Sequence, residues 1–187
     1  MPTTHAIIQN PFDTATKQVQ QQMQRQMQPF CPSVRQNQFL IVGYGDSLRG
    51  DAAAGHLVAA TVSSWKLETV KSFSLKQLGP ELVFSLAKAD YAIFVEPCAE
   101  GSRIQTTQVC PIEVVKPGHK TLHATSEPRD LGRLLALTQQ FYSNLPLCWV
   151  LKIPTETFNN GQALSSTTKT GISQALRTIA QFLRTYQ

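Results

Sequence analysis

The sequence predicts an α/β fold, a three-layer sandwich in which a mostly parallel twisted sheet of about five strands carries helices on both faces. Three observations lead there. From Gln38 onward, short apolar runs alternate with segments of helical period. The run Phe39-Leu40-Ile41-Val42 breaks at Gly43 and Gly45 and passes into an alanine-rich helical stretch, a strand–loop–helix unit. Near the C-terminus, Ile172, Ala175, Leu176, Ile179, Phe182, Leu183 and Tyr186 recur at i, i+3, i+4 and i+7, which gives one long helix an apolar face to lay on the sheet.

In chain order, strands are expected near 38–44, 68–75, 90–96, 104–115 and 147–153. Helices are expected near 51–64, 79–88, 127–142 and 166–185. The third helix has apolar residues at Leu131, Leu134, Leu135 and Phe141, and Ser126-Glu127-Pro128 before it supplies a cap followed by proline in the first turn. The fourth strand differs from the others. Gly101 and Pro111 suit an interrupted edge strand that runs antiparallel to its neighbour, because proline has no N–H to give a central ladder. This layering is phosphorylase/hydrolase-like.

A chain of 187 residues supports one domain with a sizeable core. Residues 1–36 read as a flexible tail, since Gln18 to Gln28 is a glutamine-rich run that buries too little apolar surface to offset its ordering entropy. The α/β domain is expected over 37–187. The net charge of +5 is spread along a sequence only 16% charged, with no Lys/Arg block, so nucleic acid is not an expected partner. No apolar run approaches the ~20 residues of a membrane span, and no secretory signal is seen. Cys31, Cys98, Cys110 and Cys148 are widely separated without a CxxC pair, as in thiols of a reducing compartment. A cytoplasmic monomer with no membrane partner is the expectation.

Gly43-Tyr44-Gly45 invites a dinucleotide reading, but the third glycine of that motif would fall on Leu48. The acid that would hold a ribose is missing too, because Phe73-Ser74-Leu75-Lys76 ends the second strand. No Gly-Lys-Ser/Thr closes a phosphate loop, and no GxSxG elbow marks a nucleophile. The acids are more informative. Asp46 and Asp51 follow the first strand and Glu96 ends the third. Where strands one and three are neighbours, the carboxyl edge between them is a switch-point crevice that these carboxylates would share. The plainer alternative is that Asp46 closes a turn and Asp51 caps the helix.

Among the histidines, His5 lies in the tail and His56 on a helix, while His119 and His123 lie in the loop before the third helix. An imidazole beside carboxylates is a ligand set for zinc or nickel, or a proton carrier. Simple exposure of a loop histidine is the alternative.

Taken together, Gly43-Tyr44-Gly45-Asp46 through Asp51, Gln77-Leu78-Gly79-Pro80-Glu81-Leu82, Ala92 to Glu96, His123 before Glu127-Pro128-Arg129-Asp130-Leu131, and Trp149 to Pro154 resemble the hydrogenase maturation protease family. The resemblance runs from residue 38 to the C-terminus. It implies an endopeptidase that removes a C-terminal extension from a nickel–iron hydrogenase large-subunit precursor. Nickel would be carried by that precursor, with no tightly bound cofactor of the protease's own. It also implies three side chains that grip the nickel: an acid in the loop leading into the first helix, an acid after the third strand, and a histidine. The last two correspond to Glu96, where aspartate is more usual, and His123. The first corresponds to Ala52, which has no donor atom, so Asp51 or Asp46 would supply the oxygen. On this reading Asp51, Glu96 and His123 are both the catalytic and the metal-contacting set. The alternative implied by Ala52 is an inactive relative that binds the precursor without cutting it.

Overall fold

The computed structural model describes residues 35–98, 104–112, 129–161 and 163–187. The tail expected over 1–36, apart from its last two residues, and the loop holding His119 and His123 lie outside the described residues.

Among the described residues five strands form one sheet: β1 (Phe39–Tyr44), β2 (Val70–Leu75), β3 (Tyr91–Pro97), β4 (Gln108–Ile112) and β5 (Leu147–Ile153). Their spatial order is β2-β1-β3-β5-β4. The pairs β1–β2, β1–β3 and β3–β5 are parallel, and β4 runs antiparallel to β5 at the edge. The edge position is where Pro111 is tolerated, opposite Trp149, because a proline cannot complete a ladder on both sides. The strand begins at Gln108 and not at the 104 expected, and residues 113–115 of that expectation lie outside the described residues. The chain moves from β1 outward to β2 and then back across to β3, so strand order reverses between β1 and β3.

Among the described residues four helices cover the sheet: α1 (Ala54–Ser64), α2 (Val83–Lys88), α3 (Arg129–Phe141) and α4 (Ser166–Tyr186). The first two are each led in by a 3₁₀ turn, Gly50–Ala53 and Pro80–Leu82. Right-handed crossovers in opposite directions put α1 and α2 on opposite faces. Alternation along the strands divides the core in the same way. Phe39 and Ile41 of β1 and Ile93 and Val95 of β3 pack with Val58 and Val62 of α1 and Ala175, Ile179 and Leu183 of α4. Leu40 and Val42, with Ala92 and Phe94, pack with Leu86 of α2 and Leu131, Leu134 and Leu135 of α3.

The two ends of the sheet differ in character. At the amino ends of β1, β3 and β5, the rings of Phe39, Tyr91 and Trp149 gather around Phe182 and Tyr186 of α4, with centroids 4.6–6.2 Å apart for pairs such as Phe182–Tyr186 and Phe39–Phe182. Such a cluster is packing. The polar chemistry is at the carboxyl end.

Candidate active site

The loop after β1 is built by glycine. Gly45 has φ +145°, and a Cβ there would sit 2.0 Å from the Ala52 carbonyl oxygen. A Cβ on Gly43 would sit 1.9 Å from the Gly55 carbonyl oxygen. Both glycines therefore serve the close approach of the 3₁₀ turn and α1 to β1, which accounts for the Gly-x-Gly pattern without a nucleotide.

Asp46, at the mouth of this loop, accepts from the Leu48 N–H at 3.1 Å and faces the Lys76 ammonium at 3.5 Å. The backbone hydrogen bond, helped by Lys76 and Arg49, lowers its pKa below the usual carboxylate value. It closes a turn and also lines an open crevice of about 730 Å³ with Leu48, Arg49, Phe158, Asn160 and Gly161. Leu48 is 77% exposed on the rim.

Asp51 is fully buried. Its carboxylate accepts from the backbone N–H of Glu156 at 2.8 Å, Thr157 at 3.1 Å and Ser165 at 2.7 Å, and from the Ser165 hydroxyl at 2.8 Å. Burial pushes its pKa up, but these donors more than offset that and hold it below the ordinary value. The alternative reading of Asp51, a cap on its own helix, is not met, since no side-chain cap hydrogen bond forms there. Instead it ties the β5–α4 loop down from more than a hundred residues away. The Arg49 Nε to Phe158 carbonyl bond, 3.1 Å, and the Gly161 N–H to Leu48 carbonyl bond, 3.2 Å, join the same two loops. Ser165 is in turn the N-cap of α4, accepting from the Thr168 N–H at 3.2 Å.

Glu96 is the acid that ends β3, and the ladder decides its neighbours. Gly43 pairs with Val95 and Glu96 with Lys152, so Tyr44, Glu96 and Lys152 fall in one row across β1, β3 and β5. They lie on the α2/α3 side, one step beyond Val42, Phe94 and Val150. The Tyr44 hydroxyl donates to Glu96 Oε2, and Lys152 Nζ lies 4.0 Å from Glu96 Oε1. The side chains of Lys152 and Glu96 are 15% and 11% exposed. Burial raises the Glu96 pKa, against the lowering by Tyr44 and Lys152. Burial and then the Glu96 charge raise that of Tyr44, which stays a neutral donor. Tyr44 and Lys152 were not singled out from sequence. The signal was there: three adjacent strands each end an apolar run with a side chain of polar head, Tyr44, Glu96 and Lys152.

The third expected residue, His123, lies outside the described residues. Ala52 presents a methyl group where an oxygen ligand is usual in the family it resembles. Among the described residues no group of three or more His, Cys, Asp or Glu side chains is placed to hold a metal ion. No described helix is long and apolar enough to cross a membrane.

The sheet order, with its switch point between β1 and β3, gives a fold that is shared with solved structures of hydrogenase maturation proteases. Over 81% of this chain and 95% of the other, it superposes on a nickel–iron hydrogenase maturation protease, HycI, from Thermococcus kodakarensis KOD1, with TM-score 0.60 and 18% identity. The hydrogenase maturating endopeptidase HybD of E. coli gives TM-score 0.60 at 17% identity over 79% and 92% of the two chains. A hydrogenase 2 maturation peptidase from a Thaumarchaeota archaeon gives 0.55 at 19% over 78% and 97%. No family model matches the sequence, and no curated protein does. At such identities the likeness is one of fold.

Proposed function

We propose that this chain is an endopeptidase of hydrogenase maturation, which engages the C-terminal segment of a nickel–iron hydrogenase large-subunit precursor at the carboxyl edge of its sheet. The observation that carries the reading is Glu96, a buried carboxylate at the switch point of a fold otherwise seen in proteases of that class. A carboxylate with a raised pKa beside a neutral hydroxyl and an ammonium can take a proton from a water attacking a peptide bond and return it to the leaving amine. In this scheme Glu96 is the general base and His123 a second proton-carrying group. Asp51 acts by positioning the loop from Glu156 to Ser165, which forms one wall of the crevice. The crevice beside Asp46, Arg49 and Phe158 is the seat for an extended segment of the partner.

A second reading, a relative that binds the precursor without cutting it, is favoured by Ala52, whose methyl group leaves the usual acid position empty. One experiment separates the two. The purified chain is incubated with nickel-loaded precursor, and the precursor is weighed intact by mass spectrometry. Loss of a defined C-terminal peptide, abolished by Glu96→Gln, is the expected result. Unchanged mass, while a matched active protease cuts the same sample, rejects the endopeptidase reading in favour of binding alone.

A further inference from the structure

The row Tyr44–Glu96–Lys152 places a cation beside Glu96, the side chain to which the resemblance would give contact with a substrate-borne nickel. We propose that Lys152 is a built-in counter-ion for Glu96, so that this cleft recognises its partner without coordinating a metal. For the identity of the partner, the inference rests on the maturation reading above. For the absence of metal coordination, it rests on the chain's own residues.

Four observations support it. Register forces the Glu96 and Lys152 side chains to be same-face neighbours on adjacent strands, so their proximity is a property of the ladder and not of one rotamer. Both are largely withdrawn from water, where opposite charges keep more of their attraction and a second cation is repelled more strongly. The other Glu96 oxygen accepts from the Tyr44 hydroxyl, so a metal approaching Oε2 competes with that donor and one approaching Oε1 meets the Lys152 ammonium. Finally, the loop after β1 offers little in compensation: Ala52 has no donor, Asp51 spends its carboxylate on four protein donors, and Asp46 accepts from the Leu48 N–H and faces the Lys76 ammonium. A ligand carboxylate must be both deprotonated and available, and this one is compensated in advance.

The test uses the tag-free full-length protein and Ni²⁺ alone, followed by isothermal titration calorimetry. Wild type and Glu96→Gln are expected to show the same residual nickel binding, because whatever surface imidazoles contribute is common to both. The double variant Ala52→Glu/Lys152→Met removes the internal cation and restores an acid. It is expected to bind nickel at least about tenfold more tightly than wild type, and adding Glu96→Gln to it should cancel the gain. Circular dichroism verifies that each variant is folded. Saturable nickel binding by wild type that weakens about tenfold in Glu96→Gln overturns the proposal. So does a folded double variant with no gain. A parallel measurement with precursor keeps the two readings apart. Equal affinity for nickel-loaded and nickel-free precursor supports the inference, and affinity that needs both nickel and Glu96 overturns it. Absence of binding to either form removes the maturation partner, while the Ni²⁺ titration still decides the role of Lys152.

Discussion

Replacing Asp51 discriminates a loop latch from a ligand. Its carboxylate serves three backbone N–H groups and one hydroxyl while being fully buried. Truncation to alanine takes this acceptor from the three N–H groups, while the Ser165 hydroxyl keeps Thr168 Oγ1 at 3.0 Å, and each donor left buried without a partner costs about 1–3 kcal/mol. Glu156 is exposed, so its N–H and that of Thr157 can rehydrate in part, whereas Ser165 is tied to the first turn of α4. Counting Ser165 fully and the other two partly gives a loss of about 4 kcal/mol, near the upper end for a single substitution. At about 2–4 °C per kcal/mol for a domain of this size, the melting temperature falls by about 8–16 °C. Asp51→Asn keeps the shape and one acceptor oxygen but turns an amide donor toward backbone donors, for a loss of about 2 kcal/mol. Urea unfolding followed by circular dichroism at neutral pH reads both values. The acid limb adds a check of sign. Asp51 is held below its ordinary pKa of 3.8, so its contribution is present above that value and is lost as pH falls through the lower native one. The gap between wild type and Asp51→Ala should therefore narrow in strong acid. If both variants stay within about 1 kcal/mol of wild type at neutral pH, the latch is refuted and a role for Asp51 at the reacting centre is restored.

Further outcomes are expected from the same geometry. Gly45→Ala puts a methyl group 2.0 Å from the Ala52 carbonyl oxygen at a φ of +145°; a loss of about 3 kcal/mol or more is expected in urea unfolding, and wild-type stability would refute the close approach. Glu96→Gln has the opposite pH signature to Asp51. Burial raises the native pKa of Glu96 above the ordinary 4.5, so the wild type loses stability relative to the glutamine variant as pH rises from that value through the native one. Unfolding curves across the weakly acidic to neutral range should show the variant gaining on wild type, and a gap that closes instead would contradict the burial argument. His123→Ala should abolish cleavage of the precursor with little change in melting temperature, read by mass spectrometry and thermal melts. A large melting shift would mark a structural histidine.

The alternation of strands and helices was legible because each element repeats its apolar residues at its own period, and that period requires only neighbours in the chain. The place of β4 was legible as well, since Pro111 restricts any strand that contains it to an edge. The carboxyl-edge acids could be named from sequence for the same reason: Asp46 follows the first apolar run in its glycine loop and Glu96 ends the third. What those acids touch could not be read, because it depends on register and on loops far apart in the chain. Glu96 meets Tyr44 and Lys152 only because three strands align, and Asp51 meets Ser165 across 114 residues. A local reading offers Asp51 a cap on its own helix or a place in a metal site. The folded chain gives it a third role, because backbone donors of a distant loop need an acceptor where water does not reach. The sequence by itself determined the layers, the edge and the candidate acids. Only the tertiary structure decided which acid is a latch and which is compensated by a lysine, since hydrogen bonding and charge act through space and not along the chain.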